Sequence, residues 1–287
     1  MKAARIVPVF LASALLLSAG CAPRLTPAIP FPGRWPGTPG HAGDIDRVGI
    51  EQPSGLVFHP VRRTLFAVGD NGFIAEMHTD GTPVFGQTLE GDLEGITVDP
   101  ETGLLYIIVE GADVILEFDP EKRTVLRSFP IDRDFGGNPQ FLQKQRDRYD
   151  DGVEAIAWVP DASRREGGTF YIGNQWDPPV ILEVEAPLRS RPSGDSRARI
   201  LRVLPTRVAD PSDMYFDPET RRLNILCDTD NLLLEVTLEG RIVKQYSFPG
   251  DTQEGLAADD EGFIYFAQDI GGIIKLRDLR ARQARRR

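Results

Sequence analysis

The chain has 287 residues, 41% hydrophobic and 26% charged, an ordinary globular composition at a length that suits one large all-β domain. Acidic residues outnumber basic ones by 43 to 33, a net charge of −10, so the chain repels phosphate backbones and nucleic acid is excluded as an expected partner. The only cysteines are Cys21 and Cys227, which excludes a disulfide framework.

The first element is a targeting segment. Lys2 and Arg5 precede an apolar run from Ile6 to Leu17 that is too short to span a bilayer comfortably. Ser18, Ala19 and Gly20 are small residues leading to Cys21, so residues 1–20 read as a secretory signal peptide. The run LLLSAGC resembles a bacterial lipoprotein signal, although Ser18 stands where Leu is usual. That resemblance implies lipidation of Cys21 and an extracytoplasmic body held to a bacterial membrane; Ala22 resembles the sorting position of lipoproteins sent to an outer membrane. Residues 21–43 follow as the lipidated Cys and a tether, in which six prolines from Pro23 to Pro39 leave no room for regular structure.

Residues 44–277 then repeat one phrase five times: PSGLVFHP (Pro53–Pro60), LEGITVDP (Leu93–Pro100), VEAIAWVP (Val153–Pro160), PSDMYFDP (Pro211–Pro218) and QEGLAADD (Gln253–Asp260). Each phrase leads into two further apolar runs, such as TLFAV and FIAEM after the first. A unit of about 40 to 60 residues built of short strands is the mark of a β-propeller. The strand count predicts an all-β, five-bladed propeller of four-stranded blades. The fifth copy stops after three strands, and Asp44–Ile50 is expected to supply its outer strand, closing the ring with the N-terminus. Two insertions interrupt the pattern. Asp132–Gly152 is expected on the face where inner strands begin, over the channel mouth, and Ala186–Ala198 on the opposite face. The basic tail, residues 278–287, reads as a solvated terminus or a contact for anionic lipid.

In a propeller the inner strands line the axis and the second strands run back to the same mouth. Two rings of side chains should therefore face one another there. The first is Ser54, Glu94, Glu154, Asp213 beside Ser212, and Glu254; the second is Asp70, Glu110, Asn174, Asp228, and Gln268 beside Asp269. None is Lys, Arg or His. Carboxylates that converge without cationic partners raise one another's pKa unless a cation neutralises them. Hard oxygen donors without His or Cys point to calcium, with Glu94, Glu154, Glu254, Asp213, Glu110, Asn174 and Asp228 as candidate ligands. An acidic, water-filled mouth is the plain alternative. Cys227 reads as a buried small hydrophobe, and the repeated Glu76, Glu117, Glu183 and Glu235 of the third strands as structural. His59 and His78 fall at the far end of their strands and His41 in the tether, so no histidine is placed as a base.

The runs SGLVFHPVRRTLFAVGDNGFIAEMHTDG, LEGITVDPETGLLYIIVEGADVILEFDP and DPSDMYFDPETRRLNILCDTDNLLLEVTLEG resemble the SdiA-regulated (YjiK-like) family, over about residues 48–277. The resemblance implies a five-bladed propeller, calcium at a shared site with Glu94, Glu154 and Glu254 as first candidates, and a distant kinship to NHL repeats, which mostly bind proteins. Ala155 departs from the Gly that usually follows the Glu. Related propellers also carry an esterase-like label. The expected function is a lipid-anchored, calcium-binding scaffold, monomeric, that meets a protein or envelope component on its top face. The alternative is a calcium-dependent ester, lactone or phosphoester hydrolase acting at the mouth.

Overall fold

The structure is a computed structural model that describes residues 29–30, 44–139, 141–142, 152–176, 178–190, 196–247, 252–278 and 280. Each copy of the phrase begins a blade. The first blade is Pro53–His59, Thr64–Gly69, Phe73–His78 and Pro83–Thr88; the second is Leu93–Val98, Leu105–Val109, Val114–Asp119 and Thr124–Pro130. The third is Val153–Pro160, Gly168–Asn174, Val180–Glu185 and Arg199–Arg207; the fourth is Pro211–Asp217, Arg222–Cys227, Leu232–Thr237 and Ile242–Ser247. The fifth has three strands, Gln253–Ala258, Phe263–Gln268 and Ile273–Arg277. Within each blade consecutive strands pair antiparallel. The result is an all-β, five-bladed propeller.

Both faces of an inner blade strand are covered, so the first and second strands are apolar nearly throughout rather than alternating. The core is accordingly divided among the blade interfaces. Tyr106, Trp158 and Phe170 pack between blades two and three, with Tyr106 and Phe170 edge to face at 4.9 Å. Phe66 and Phe118 pack between blades one and two, and Leu56 and Tyr265 between five and one. Cys227 is buried in the cluster between blades three and four, as a small hydrophobe, and burial pushes its thiol pKa up.

The third-strand glutamates lie in these interfaces, buried and paired. Arg62 holds Glu76 through two hydrogen bonds (2.7 and 3.0 Å), and the Thr64 hydroxyl adds a third at 2.6 Å. Arg127 grips Glu117, Arg164 and Arg202 share Glu183, and Arg222 and the Tyr246 hydroxyl hold Glu235. A buried carboxylate needs such partners, because removing one leaves an uncompensated charge. The fifth blade inverts the arrangement: Lys275 takes the position, lies over Phe263 at 4.3 Å and donates to the Thr79 carbonyl of blade one.

His59 ends its inner strand at the lower mouth, 2% exposed, with Nε2 3.0 Å from the Gly103 carbonyl and Nδ1 accepting the Arg62 N–H. Burial lowers its pKa, the Gly103 contact opposing. A lowered folded-state pKa means that the unfolded chain binds a proton first. Stability is therefore full above about pH 6.5 and falls as the pH drops through that value towards the folded pKa. We expect His59→Gln to flatten this acid limb of the urea-unfolding free energy between about pH 7 and pH 5. An unchanged slope would assign the limb to other groups.

Two expectations about the N-terminal region need correction. The fourth strand of blade five is not formed by Asp44–Ile50. Asp44 makes one antiparallel bridge to Ile274, flanked by Ile45 N–H to the Ile273 carbonyl (2.8 Å) and Ile273 N–H to Asp44 Oδ1 (2.9 Å). The reason is Asp46, whose carboxylate accepts the N–H groups of Val48, Gly49 and Ile50 and so winds the segment into a turn. The proline-rich stretch is also not wholly irregular. Ile29–Pro30 pairs in parallel with Tyr246 and Ser247 on the outer strand of blade four, an edge position where a proline lacking an N–H is tolerated. Cys21, the signal segment and residues 281–287 lie outside the described residues.

Candidate metal centre at the mouth of the ring

All five inner strands carry a β-bulge near their first residues. The pairing register shifts between Pro53 and Gly55, Leu93 and Ile96, Val153 and Ile156, Pro211 and Asp213, and Gln253 and Gly255. A bulge leaves one residue unpaired and re-aims its side chain. Here it falls on Ser54, Glu94, Glu154, Ser212 and Glu254; in blade four the bulged residue is Ser212, and Asp213, expected in this ring, is instead paired with Leu226. The carbonyl just ahead of each phrase then accepts an N–H from the second ring: Asp70 on Gln52, Glu110 on Asp92, Gln175 on Gly152, Asp228 on Asp210 and Asp269 on Thr252.

That pattern fixes which second-ring residues are equivalent. Asp70, Glu110 and Asp228 are as expected. Gln175 and Asp269 take the places expected of Asn174 and Gln268, which lie one residue earlier, paired with Val153 and Gln253. The Asn174 amide donates to the Trp176 and Pro178 carbonyls and so braces its own loop. Second-ring side chains lean on the start of the next blade. Asp228 accepts the Gln253 N–H at 3.0 Å, and Asp269 accepts the Gln52 amide at 3.3 Å across the seam from blade five to blade one. Ser54 meets the Asp70 carboxylate, and Ser212 donates to the Gln253 carbonyl.

Asp70 continues the pattern into a cluster. Its carboxylate and those of Asp92 and Glu94 each present an oxygen such that all three lie within 4.8 Å of one another. Asp92 does not stand out in the sequence, because it precedes the repeated phrase; in the structure it stands beside Glu94. The three ring glutamates sense the same acidity. Burial first, then the charges of Asp70, Asp92, Glu110 and Glu254, holds the Glu94 carboxyl well above the usual range. Burial and then Glu94 and Glu254 do the same to Glu154, and burial and then Asp228 and Asp210 to Glu254. Asp228 is raised as well, by burial and then by Asp210. The donor set, three convergent carboxylate oxygens, suits a hard divalent cation. His59 and His78 sit at the far ends of their strands.

Asp213 differs from the other ring members. It stands where the other phrases have Gly55, Gly95, Ala155 and Gly255, and it is 0% exposed. Its Oδ2 accepts the N–H groups of Leu256 (2.7 Å) and Leu56 (3.2 Å), and its Oδ1 that of Met214 (2.8 Å). A side chain from blade four thus fastens blades five and one, and these backbone donors oppose the rise in pKa that burial imposes. It is not brought into the Asp70–Asp92–Glu94 cluster. The small residues elsewhere in this layer are required by backbone contact: a Cβ on Gly95 would overlap the Glu154 carbonyl and stand 2.9 Å from the Ile156 nitrogen. We expect Gly95→Ala to lower unfolding stability by about 2 kcal/mol or more, since backbone cannot yield cheaply. Ala155→Gly should cost about 1 kcal/mol or less. Equal losses in urea titrations would show that the layer is not packed this tightly.

The first insertion is described up to residue 142, apart from 140. Its base lies along the blade flank: Ile131 bridges Ala198 in parallel, Arg133 pairs with Asp113, and Leu142 is buried in the cluster between blades two and three. Residues 143–151, the rest of the insertion expected over the mouth, lie outside the described residues.

The class is therefore a β-propeller with an acidic upper mouth. The sequence profile of the SdiA-regulated family matches residues 39–269, and the chain belongs to that family. Among solved structures, the chain resembles the glutaminyl cyclase of Myxococcus xanthus, with a TM-score of 0.56 and 14% identity over 78% of this chain and 89% of that one. It also matches a streptogramin B lyase, with a TM-score of 0.43 and 13% identity over 81% of this chain and 71% of that one. At such identities the first likeness speaks for the fold alone. No curated protein matches the sequence.

Proposed function

We propose that the protein is a calcium-binding propeller that serves as a binding or scaffold module in the cell envelope, anchored through Cys21. The observation that carries the reading is the meeting of Asp70, Asp92 and Glu94 within 4.8 Å in a mouth whose other glutamates are pushed towards their neutral forms. These three residues would hold the ion. Bound there, calcium would neutralise the mouth and fix blade one, which supplies Asp70, to blade two, which supplies Asp92 and Glu94. The upper loops would then present one rigid surface to a protein or envelope component. The signal-like segment ahead of Cys21 supports a place outside the cytoplasm. The test is calorimetric titration of the chain with calcium, run beside Asp70→Asn and Glu94→Gln. Saturable heat that both variants lose supports the reading. The absence of heat leaves an acidic mouth without a metal, and the reading fails.

A further inference from the structure

The fifth copy of the repeat departs from the other four at its lower end. Where they carry Phe58, Val98, Trp158 and Phe216 it has Ala258, and where they carry proline it has Asp260. The missing bulk opens a cleft of about 510 Å3 at the lower mouth, between blades four, five and one. That volume lies within the range of small-molecule sites. Its walls are aromatic: Phe58, Tyr215, Phe216 and Phe263. Its rim is acidic, with Asp217, Glu219, Asp259, Asp260, Glu261 and Asp278 against one lining base, Arg277.

The walls already receive cations from the chain itself. The Arg277 guanidinium lies over the Phe263 ring at 3.8 Å, and Arg280 donates to the Tyr215 hydroxyl at 2.9 Å. Several rim acids are engaged locally: Asp217 and Asp259 accept N–H groups of their own turns, Asp260 and Glu261 pair with Arg63, and Asp278 pairs with Arg280. Glu219 is exposed and forms no ion pair among the described residues. Lys275 and Arg277 already cover Phe263, so a guest with an apolar body would find the half-buried rings of Phe58 and Phe216, and a positive charge on it would find those rings and the uncommitted Glu219.

We propose that this cleft is a second binding site, for an organic cation with an apolar body such as an arylalkyl ammonium. The site lies at the mouth opposite the carboxylate ring and needs no metal. The test is calorimetric titration of the full chain with phenethylammonium and, in parallel, with phenethyl alcohol. We expect the ammonium to bind at least about tenfold tighter, a difference of about 1.4 kcal/mol, and to weaken as salt is raised. Ala258→Trp, which copies the residue of blade three, should fill the cleft and abolish binding of both probes. Glu219→Gln should weaken the ammonium several-fold and leave the alcohol unchanged. No binding of the ammonium, equal affinity for the two probes, or full binding by a folded Ala258→Trp protein would overturn the proposal. If Ala258→Trp does not fold, Glu219→Gln decides: an unchanged preference for the ammonium overturns it.

Discussion

Saturating calcium should raise the melting temperature of this protein by roughly 5 to 10 °C. A ligand at about 100 times its dissociation constant adds about 2.7 kcal/mol, and in a chain of this size each 1 kcal/mol moves the transition by about 2 to 4 °C. Glu94→Gln should lose most of that gain. In chelator the same variant should melt higher than the parent, because one of the mutually repelling carboxylates is gone. The pH dependence has a definite sign. Carboxyls raised in the fold keep protons that the unfolded chain has already released, so metal-free stability falls as the pH rises from the ordinary carboxylate range, about 4, to the raised values. The calcium gain should therefore be larger at about pH 8 than at about pH 5. Simple screening gives a different result: sodium chloride of equal ionic strength would then reproduce the shift, and the metal reading would be lost.

Asp213→Ala should be the most damaging single substitution in the ring. It removes the acceptor for the N–H groups of Leu56, Leu256 and Met214, all in the buried layer on the axis. Each buried donor left without a partner costs about 1 to 3 kcal/mol. We expect a total loss of about 3 to 5 kcal/mol in urea unfolding, a large share of the stability of an ordinary domain. Asp213→Gly, which restores the residue of three other phrases, should be no better, because the space there is filled by a carboxylate and not by backbone. Asp213→Asn should fall between, since one acceptor oxygen survives while its amide nitrogen meets backbone donors. A loss under about 1 kcal/mol for Asp213→Ala would mean that water or a neighbouring carbonyl replaces the carboxylate.

The blades were legible because the phrase marks every inner strand and the apolar runs that follow are too short and too β-branched for helices. The first ring was legible for the same reason. The second ring was legible only in blades where the hairpin keeps a common length. In blades three and five the hairpin lengths differ, and a one-residue slip exchanges Gln175 for Asn174 and Asp269 for Gln268. Asp92 was hidden because it lies outside the repeated phrase and meets Asp70 and Glu94 only when blades one and two come together. Asp213 was visible as an acid at the mouth, but its role depends on backbone donors from blades one and five, 157 and 43 residues away. The outer strand of blade five was misread because Asp46 competes for the backbone of its own segment, a contest between a side chain and a sheet that residue preference alone does not decide.

The single bridge at Asp44 also has a mechanical meaning. In a ring zipped shut by its N-terminal strand, a pull on the leading segment peels an integral strand and opens the last blade. Here a load from the leading segment meets first the Ile29–Pro30 pairing on blade four and then Asp44, Ile45 and the Asp46 turn, a few bonds arranged to break in succession. The ties that hold blade five to blade one lie elsewhere, in Asp213, in Gln52 with Asp269, in Arg63 with Asp260, and in Lys275 with Thr79. Tension arriving from the leading segment would therefore be shed at a weak link before it reached the ring.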